Sequence, residues 1–299
     1  MLCDLCPRGC KVDREIVSGF CNSPEHVRVA RAALHFWEEP CISGESGSGT
    51  IFFSGCTMRC VFCQNKEIST GEAGLVVSDE RLVEIMFELA ESGANNINMV
   101  TPDHYAYKIN RAVKKAKEKG LAIPIVMNTG GYLGEKSYAL LSEVADIWLT
   151  DYKYFSPLLA LSYSSAPKYP DIAAKMLHKM VEDTGEPKYD GDLLKKGVIV
   201  RILLLPGCVS DAQKIVEYVY KTYGEKVILS LMNQYTPPSE PIERFPELNR
   251  KVTKEEYDKL VDYAISLGVE EAYIQEDGTA EESFIPVFDY TGVLPKRER

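Results

Sequence analysis

No apolar run in this sequence approaches the ~20 residues of a transmembrane helix. The N-terminus, MLCDLCPRGCKVDRE, lacks the basic segment followed by an apolar one that marks a signal peptide. There is no internal repeat and no low-complexity segment. Positive charge is short as well: 34 Lys and Arg stand against 44 Asp and Glu, for a formal charge of −10. A chain this acidic is a poor general partner for nucleic acid or an anionic membrane. These absences lead us to expect a cytoplasmic protein, in a compartment where thiols stay reduced.

What the chain does have is cysteine, crowded at one end. Eight of its nine cysteines precede residue 64. Such clustering favours metal ligation over a disulfide framework. Cys3, Cys6, Cys10 and Cys21 read C-x2-C-x3-C-x10-C, four thiols as a closed structural site requires. Zinc or a second iron–sulfur cluster fits, and a bound metal would staple a segment too short to hold its own core. Cys41 is a substitute ligand, and four reduced thiols without metal is the alternative. The cysteine-rich segment takes residues 1–48, with Ser23-Pro24 reading as the start of a helix over Glu25 to Trp37. Within it, His35, Trp37, Glu38 and Glu39 precede a Gly/Ser loop; His35 reads as a structural histidine or a group supporting the site.

From residue 50 to the end of a second region, 49–299, strands alternate with helices. Short apolar strands fall at Thr50–Ser54, Asn96–Val100, Ala122–Met127, Asp146–Thr150, Val198–Leu205 and Lys226–Met232, with a last one at Glu271–Gln275. Helical spacing falls at Asp79–Ser92, His104–Lys119, Lys136–Val144, Asp171–Val181, Ser210–Tyr223 and Thr253–Leu267. Residues 156–170 read as a loop for substrate, and LPKRER as a solvated basic tail. The alternation predicts an α/β fold with a parallel sheet. Six units are too few to close eight strands. The expected form is a partial (β/α)6 TIM-like barrel with a cysteine-rich N-terminal extension; a doubly wound sheet is the alternative.

Directly after the first of these strands comes GTIFFSGCTMRCVFCQN, with Cys56, Cys60 and Cys63 spaced Cys-x3-Cys-x2-Cys and no fourth cysteine nearby. Thiolates hold zinc or iron–sulfur clusters. A closed site takes four ligands; three thiolates on a 4Fe–4S cluster leave one iron open to bind substrate or cofactor. A zinc knuckle or three buried thiols is the plainer reading.

The C-x3-C-x-Φ-C motif, Cys56-Thr57-Met58-Arg59-Cys60-Val61-Phe62-Cys63, resembles that of the radical S-adenosylmethionine (SAM) enzymes. Gln64-Asn65 is similar to the pyruvate formate-lyase activating enzymes. CDLCPRGCKVDR, GFC, HFWEEPCISGESGSGTIFFSGC and CVFCQN resemble a group of iron–sulfur homologues of that enzyme. The resemblance implies that Phe62 covers a 4Fe–4S cluster on Cys56, Cys60 and Cys63, with Asn65 beside the cofactor. It implies that SAM chelates the open iron, that one electron cleaves the sulfonium to methionine and a 5′-deoxyadenosyl radical, and that the radical takes a hydrogen atom from the substrate. The electron would come from a donor such as flavodoxin or ferredoxin.

In such a fold the site lies at the C-terminal ends of the strands. The family's Gly-Gly-Glu segment for the SAM amino group is missing here; Thr101 and Asp103 are the substitutes, unless Thr-Pro-Asp is only a turn. Asn128 matches a ribose or carboxylate contact. Asp151 and Lys153 match an Asp-x-Lys pair, with Lys153 on the SAM carboxylate or in a local ion pair. Arg201, a charge within an apolar strand, needs a partner: SAM by resemblance, or Asp151. Asn233-Gln234-Tyr235 closes around adenine or substrate, or is a plain rim loop. Cys208 is a hydrogen-atom donor, an extra ligand or an inert thiol. The expected activity is that of a radical SAM oxidoreductase, acting on a backbone glycine of a glycyl radical enzyme, on a small molecule, or on another peptide. A non-catalytic metal protein is disfavoured, because electron carriers close the cluster with a fourth ligand.

Overall fold

The structure is a computed structural model that describes residues 2–275 and 286–295. The strands are β1 (Arg28–His35), β2 (Ser48–Phe53), β3 (Leu75–Val76), β4 (Ile97–Val100), β5 (Ile125–Thr129), β6 (Ile147–Asp151), β7 (Lys188–Asp190), β8 (Leu193–Leu203), β9 (Ile228–Met232) and β10 (Ala272–Ile274). The α-helices are α1 (Pro40–Ser43), α2 (Lys66–Ser69), α3 (Asp79–Glu91), α4 (Ala106–Glu118), α5 (Glu135–Ser142), α6 (Pro157–Ser164), α7 (Tyr169–Thr184), α8 (Val209–Tyr223) and α9 (Lys254–Ser266). One sheet runs β10-β9-β8-β6-β5-β4-β2-β1-β3, with β7 paired to β8. From β2 to β10 its strands are parallel and follow chain order. No reversal of order occurs, which removes the doubly wound alternative.

The strands are buried on both faces, as parallel strands covered by helices must be. In β6, Trp148 faces the main core with Val198 and Val200 of β8. Ile147 and Leu149 face the other way and pack with Val126, Ile199 and, from α1, Cys41 and Ile42. Each large aliphatic side chain fully buried in this way is worth ~1.5–3 kcal/mol. Along the second face the character changes at the strand ends, where Asp151, two residues beyond Leu149, sits in register with Arg201, which pairs in turn with Ser230. The period of two that buries Ile147 and Leu149 therefore delivers the charges to the same face.

Several expectations need correction. Glu25 to Trp37 is not a helix: Arg28–His35 is a strand, antiparallel to β2. The Ala- and Arg-rich run RVARAALH has good helix propensity, but pairing along the sheet edge overrides it. Its arginines point outward, Arg28 onto the carbonyls of Gly71, Glu72 and Gly74 and Arg31 onto Asp289. Ser23 caps nothing; its hydroxyl bonds to the carbonyls of Cys21 and Ser54. The loop expected at 156–170 is helical over α6 and the start of α7, with Ser156 as N-cap accepting from the Leu159 amide at 3.4 Å. Strand β5 starts at Ile125 rather than Ala122, beyond Pro124, which has no N–H to give a ladder. Of the basic tail, residues 296–299 lie outside the described residues.

Residues 289–294 return to the opposite end of the sheet. The Tyr290 amide donates to the Ala30 carbonyl and the Ala32 amide to the Thr291 carbonyl, at 3.1 and 2.8 Å. Arg81 holds this strap through the carbonyls of Gly292, Val293 and Leu294. No helix among the described residues is long and apolar enough to cross a membrane.

Candidate functional site

The three-cysteine loop leaves β2 through Gly55, whose φ of +93° suits glycine. A Cβ there would meet the Ser23 hydroxyl and the Cys21 carbonyl oxygen, the latter at 2.7 Å. Two of the three sulfurs receive a hydrogen bond, Cys56 from the Met58 amide at 3.4 Å and Cys60 from the Ser164 hydroxyl at 3.0 Å, and Ser69 lies beside Cys63 and favours its thiolate. Donors aimed at sulfur stabilise thiolate ligands. Burial pushes the Cys56 thiol up to about 12 and raises Cys63, with the neighbouring cysteines adding to both. Lys153 opposes this at Cys63, and bound iron would carry the balance to the thiolate. The three line one cavity of about 140 Å³ with Thr101, Asn128 and Lys153. Among the described residues no three His, Cys, Asp or Glu side chains gather around a single ion. A cubane cluster binds each cysteine at a separate iron, so the donor set and its burial fit a cluster. Phe62 is buried beside the loop, edge-on to Tyr154, Tyr163 and Tyr235.

A charged layer crosses the strand ends next to the loop. Arg201 donates to Asp151 at 2.8 Å, to Glu38 at 3.0 Å and to Asn128 at 2.7 Å. Lys153 pairs with the other oxygen of Asp151 at 2.6 Å. Burial would raise the Asp151 carboxyl, but the two cations outweigh it and hold it below the usual range. Glu38 also accepts from Asn98 and Asn128, at 2.9 and 3.2 Å. A second cavity of about 380 Å³ lies against this layer; Cys60, Phe62, Cys63, Asn65, Asn128, Asp151, Lys153 and Arg201 all line it. The structure thus brings these sequence-predicted residues together, and it forms both local ion pairs, Lys153 and Arg201 with Asp151.

Other expected residues are less central. Thr101, at φ +59°, donates its amide to the Asn128 carbonyl and lines the smaller cavity. Asp103 lines it too, but one of its oxygens accepts from Thr129 at 2.9 Å, and burial pushes its carboxyl up to about 7. Gln234 lines the larger cavity, whereas Tyr235 is buried with its hydroxyl on the Leu248 carbonyl. Cys208 borders a small cavity with Lys153, Leu205 and Asp211, and lines neither of the two cavities at the cluster loop. His35 lines the larger cavity; burial, helped by Arg31 and Arg201, pushes it down to about 4, so it is neutral. Sequence reasoning noted Glu38 and Glu39 and gave them no role. The available signal was the pair of acids standing directly before Pro40.

The N-terminal cysteines fold beside the cluster loop. The Cys3 amide donates to Val12, and the Phe20 amide to the Cys10 sulfur at 3.3 Å. Burial pushes Cys6 up to about 12, and Cys21, Cys10 and Cys3 add to it. Arg8, between Cys6 and Cys10, donates to the carbonyls of Thr57, Met58 and Ser164 and stacks on Phe20. Cys41 is no substitute ligand: α1 carries it into the apolar face of the sheet, beside Tyr273.

Residues 50–163 match the model of the radical SAM superfamily. An uncharacterized protein of Methanocaldococcus jannaschii is 29% identical over 269 residues, 88% of this chain and 74% of its own. Among solved structures, Streptococcus suis SuiB bound to S-adenosylmethionine superposes with a TM-score of 0.53 at 12% identity, over 74% of this chain and 48% of that one. SuiB bound to the precursor peptide SuiA gives 0.53 and 12%, over 74% and 47%. The chain spans about half the length of these structures, and at such identity the likeness is one of fold. The matched residues 50–163 include the three-cysteine loop at the end of β2, so the similarity to the radical SAM superfamily falls on the part of the chain that carries the thiols.

Proposed function

We propose that this protein is a radical SAM enzyme that reductively cleaves SAM at a 4Fe–4S cluster held by Cys56, Cys60 and Cys63, at the mouth of a partial (β/α)6 TIM-like barrel. The observation that carries the reading is the loop itself: three cysteine sulfurs line one cavity, two of them hydrogen-bonded, with no fourth cysteine among its described lining residues. Bound there, the cluster and SAM would supply a 5′-deoxyadenosyl radical. The chain's own part is to bind, orient and shield. Phe62 with its three tyrosines keeps water from one side of the loop. Lys153 offers an ammonium to a carboxylate, and Asn128 and Arg201 hold polar groups in line with it.

For the substrate, the likeness of Gln64-Asn65 to activating enzymes supports hydrogen abstraction from a backbone glycine of a glycyl radical enzyme. The cavity beside the cluster loop, with charged groups set among apolar walls, favours a second reading, a small molecule or another peptide. The N-terminal cysteines Cys3, Cys6, Cys10 and Cys21 are read as a second metal site. Zinc or a second iron–sulfur cluster suits their four thiols.

The test is anaerobic reconstitution with iron and sulfide, then dithionite and SAM, with 5′-deoxyadenosine measured by mass spectrometry. The nucleoside should form, and Cys60→Ala should abolish it. A protein with a full cluster that makes none would sink the reading.

A further inference from the structure

The larger cavity contains an acid with one oxygen unpartnered: Glu39 feels Arg201 and is hydrogen-bonded to Ser230, but its second oxygen is left over. Both oxygens of Glu38 are used, by Arg201, Asn98 and Asn128. Glu39 differs. It is only 7% exposed, and its Oε2 has no hydrogen-bond partner. Arg201 is already committed to Asp151, Glu38 and Asn128. Among the described residues lining the cavity, three carboxylates, Glu38, Glu39 and Asp151, face two cations, Lys153 and Arg201. A buried charge left unpaired is costly unless a ligand completes it.

The rest of the cavity says what kind of ligand that is. Trp37 and Ile274 line it and are 57% and 49% exposed, so they mark its apolar rim. Phe52, Leu203 and Met232 line its walls, and Cys60 and Cys63 border the same space. An aliphatic stem suits the walls and a cation suits Glu39.

We propose that this cavity binds the substrate through a cationic nitrogen, an ammonium or guanidinium on an aliphatic stem, with Glu39 as its counter-ion. The proposal rests on the radical SAM reading for what happens to the stem, and on the cavity alone for binding.

The cation has three sources: a free amine, a lysine side chain in a peptide, or the amino group of SAM. Iron–sulfur-reconstituted wild type and Glu39→Gln are titrated with n-butylamine, with n-butanol as neutral control, with a lysine tripeptide and its norleucine counterpart, and with SAM. Calorimetry and the melting temperature are the readouts. Butylamine should bind wild type and raise its melting temperature while butanol does not, and Glu39→Gln should weaken amine binding at least about tenfold. Without ligand, Glu39→Gln should melt at or above wild type, since a buried unpaired charge is gone. A lysine peptide that binds as well as the amine makes the substrate a side chain; one that fails makes it a small molecule. Amine and alcohol acting alike would overturn the proposal, and so would a variant melting far below wild type, which makes Glu39 structural. Loss of SAM binding with butylamine binding intact would give the carboxylate to SAM. 5′-Deoxyadenosine formation, measured on the same preparation, reports on the radical reading separately.

Discussion

At the scale of single residues, burial decides most of the chemistry. Asp103 is the clearest case. Its carboxyl ordinarily titrates near 3.8 and is pushed up to about 7 by burial. Between those values the folded state holds a proton that the unfolded state has released, so stability falls as pH rises through this window and levels off above it. The effect across this window is up to about 4 kcal/mol. Asp103→Asn, which keeps a partner for Thr129, should lose that slope; its urea midpoint should exceed wild type's at pH 8 and approach it at pH 5. An unchanged difference between the two pH values would remove burial as the cause. The residues near the cluster were legible in sequence because their chemistry is local: three thiols at fixed spacing, an aromatic, and charges at strand ends. Glu38, Glu39, Asn98 and Ser230 were not, because what makes them matter is a meeting of the turn after β1 with β4 and β9 that no spacing encodes.

At the scale of elements, the βα repeat was readable from period alone, and its helices and strands appear within a few residues of where hydrophobic spacing put them. The failures have two causes. β1 has helical composition and is made a strand by its neighbour, and α6 follows a Ser-Pro that reads equally as turn and as cap. The turn from β2 into the cluster loop is the element most exposed to a single change. Gly55→Ala adds a methyl group against the Cys21 carbonyl at a φ of +93°. It should cost ~1–3 kcal/mol of stability and lower the iron bound after reconstitution. Full iron content with an unchanged melting temperature would show that the loop tolerates another path.

For the whole molecule, the cysteine-rich segment and the cluster loop act as one unit through Arg8. Arg8→Met removes its charge-assisted bonds to Thr57, Met58 and Ser164, a loss of ~2–4 kcal/mol. Faster proteolysis before residue 24 and reduced iron at the Cys56 loop should follow together; the first without the second would separate the two sites. Metal analysis of a Cys3→Ser, Cys6→Ser double variant should show iron for one cluster only, against two in wild type. Iron unchanged would leave the N-terminal thiols without a cluster. The strap at 289–294 has a consequence for how copies of the chain behave in company. By bonding to Ala30 and Ala32 it occupies main-chain groups that β1 would otherwise offer to any extended peptide. A chain cut at residue 285 would keep its sheet and expose that edge as a template, so strand addition between copies should make it sediment as oligomers and filaments before it loses helical signal.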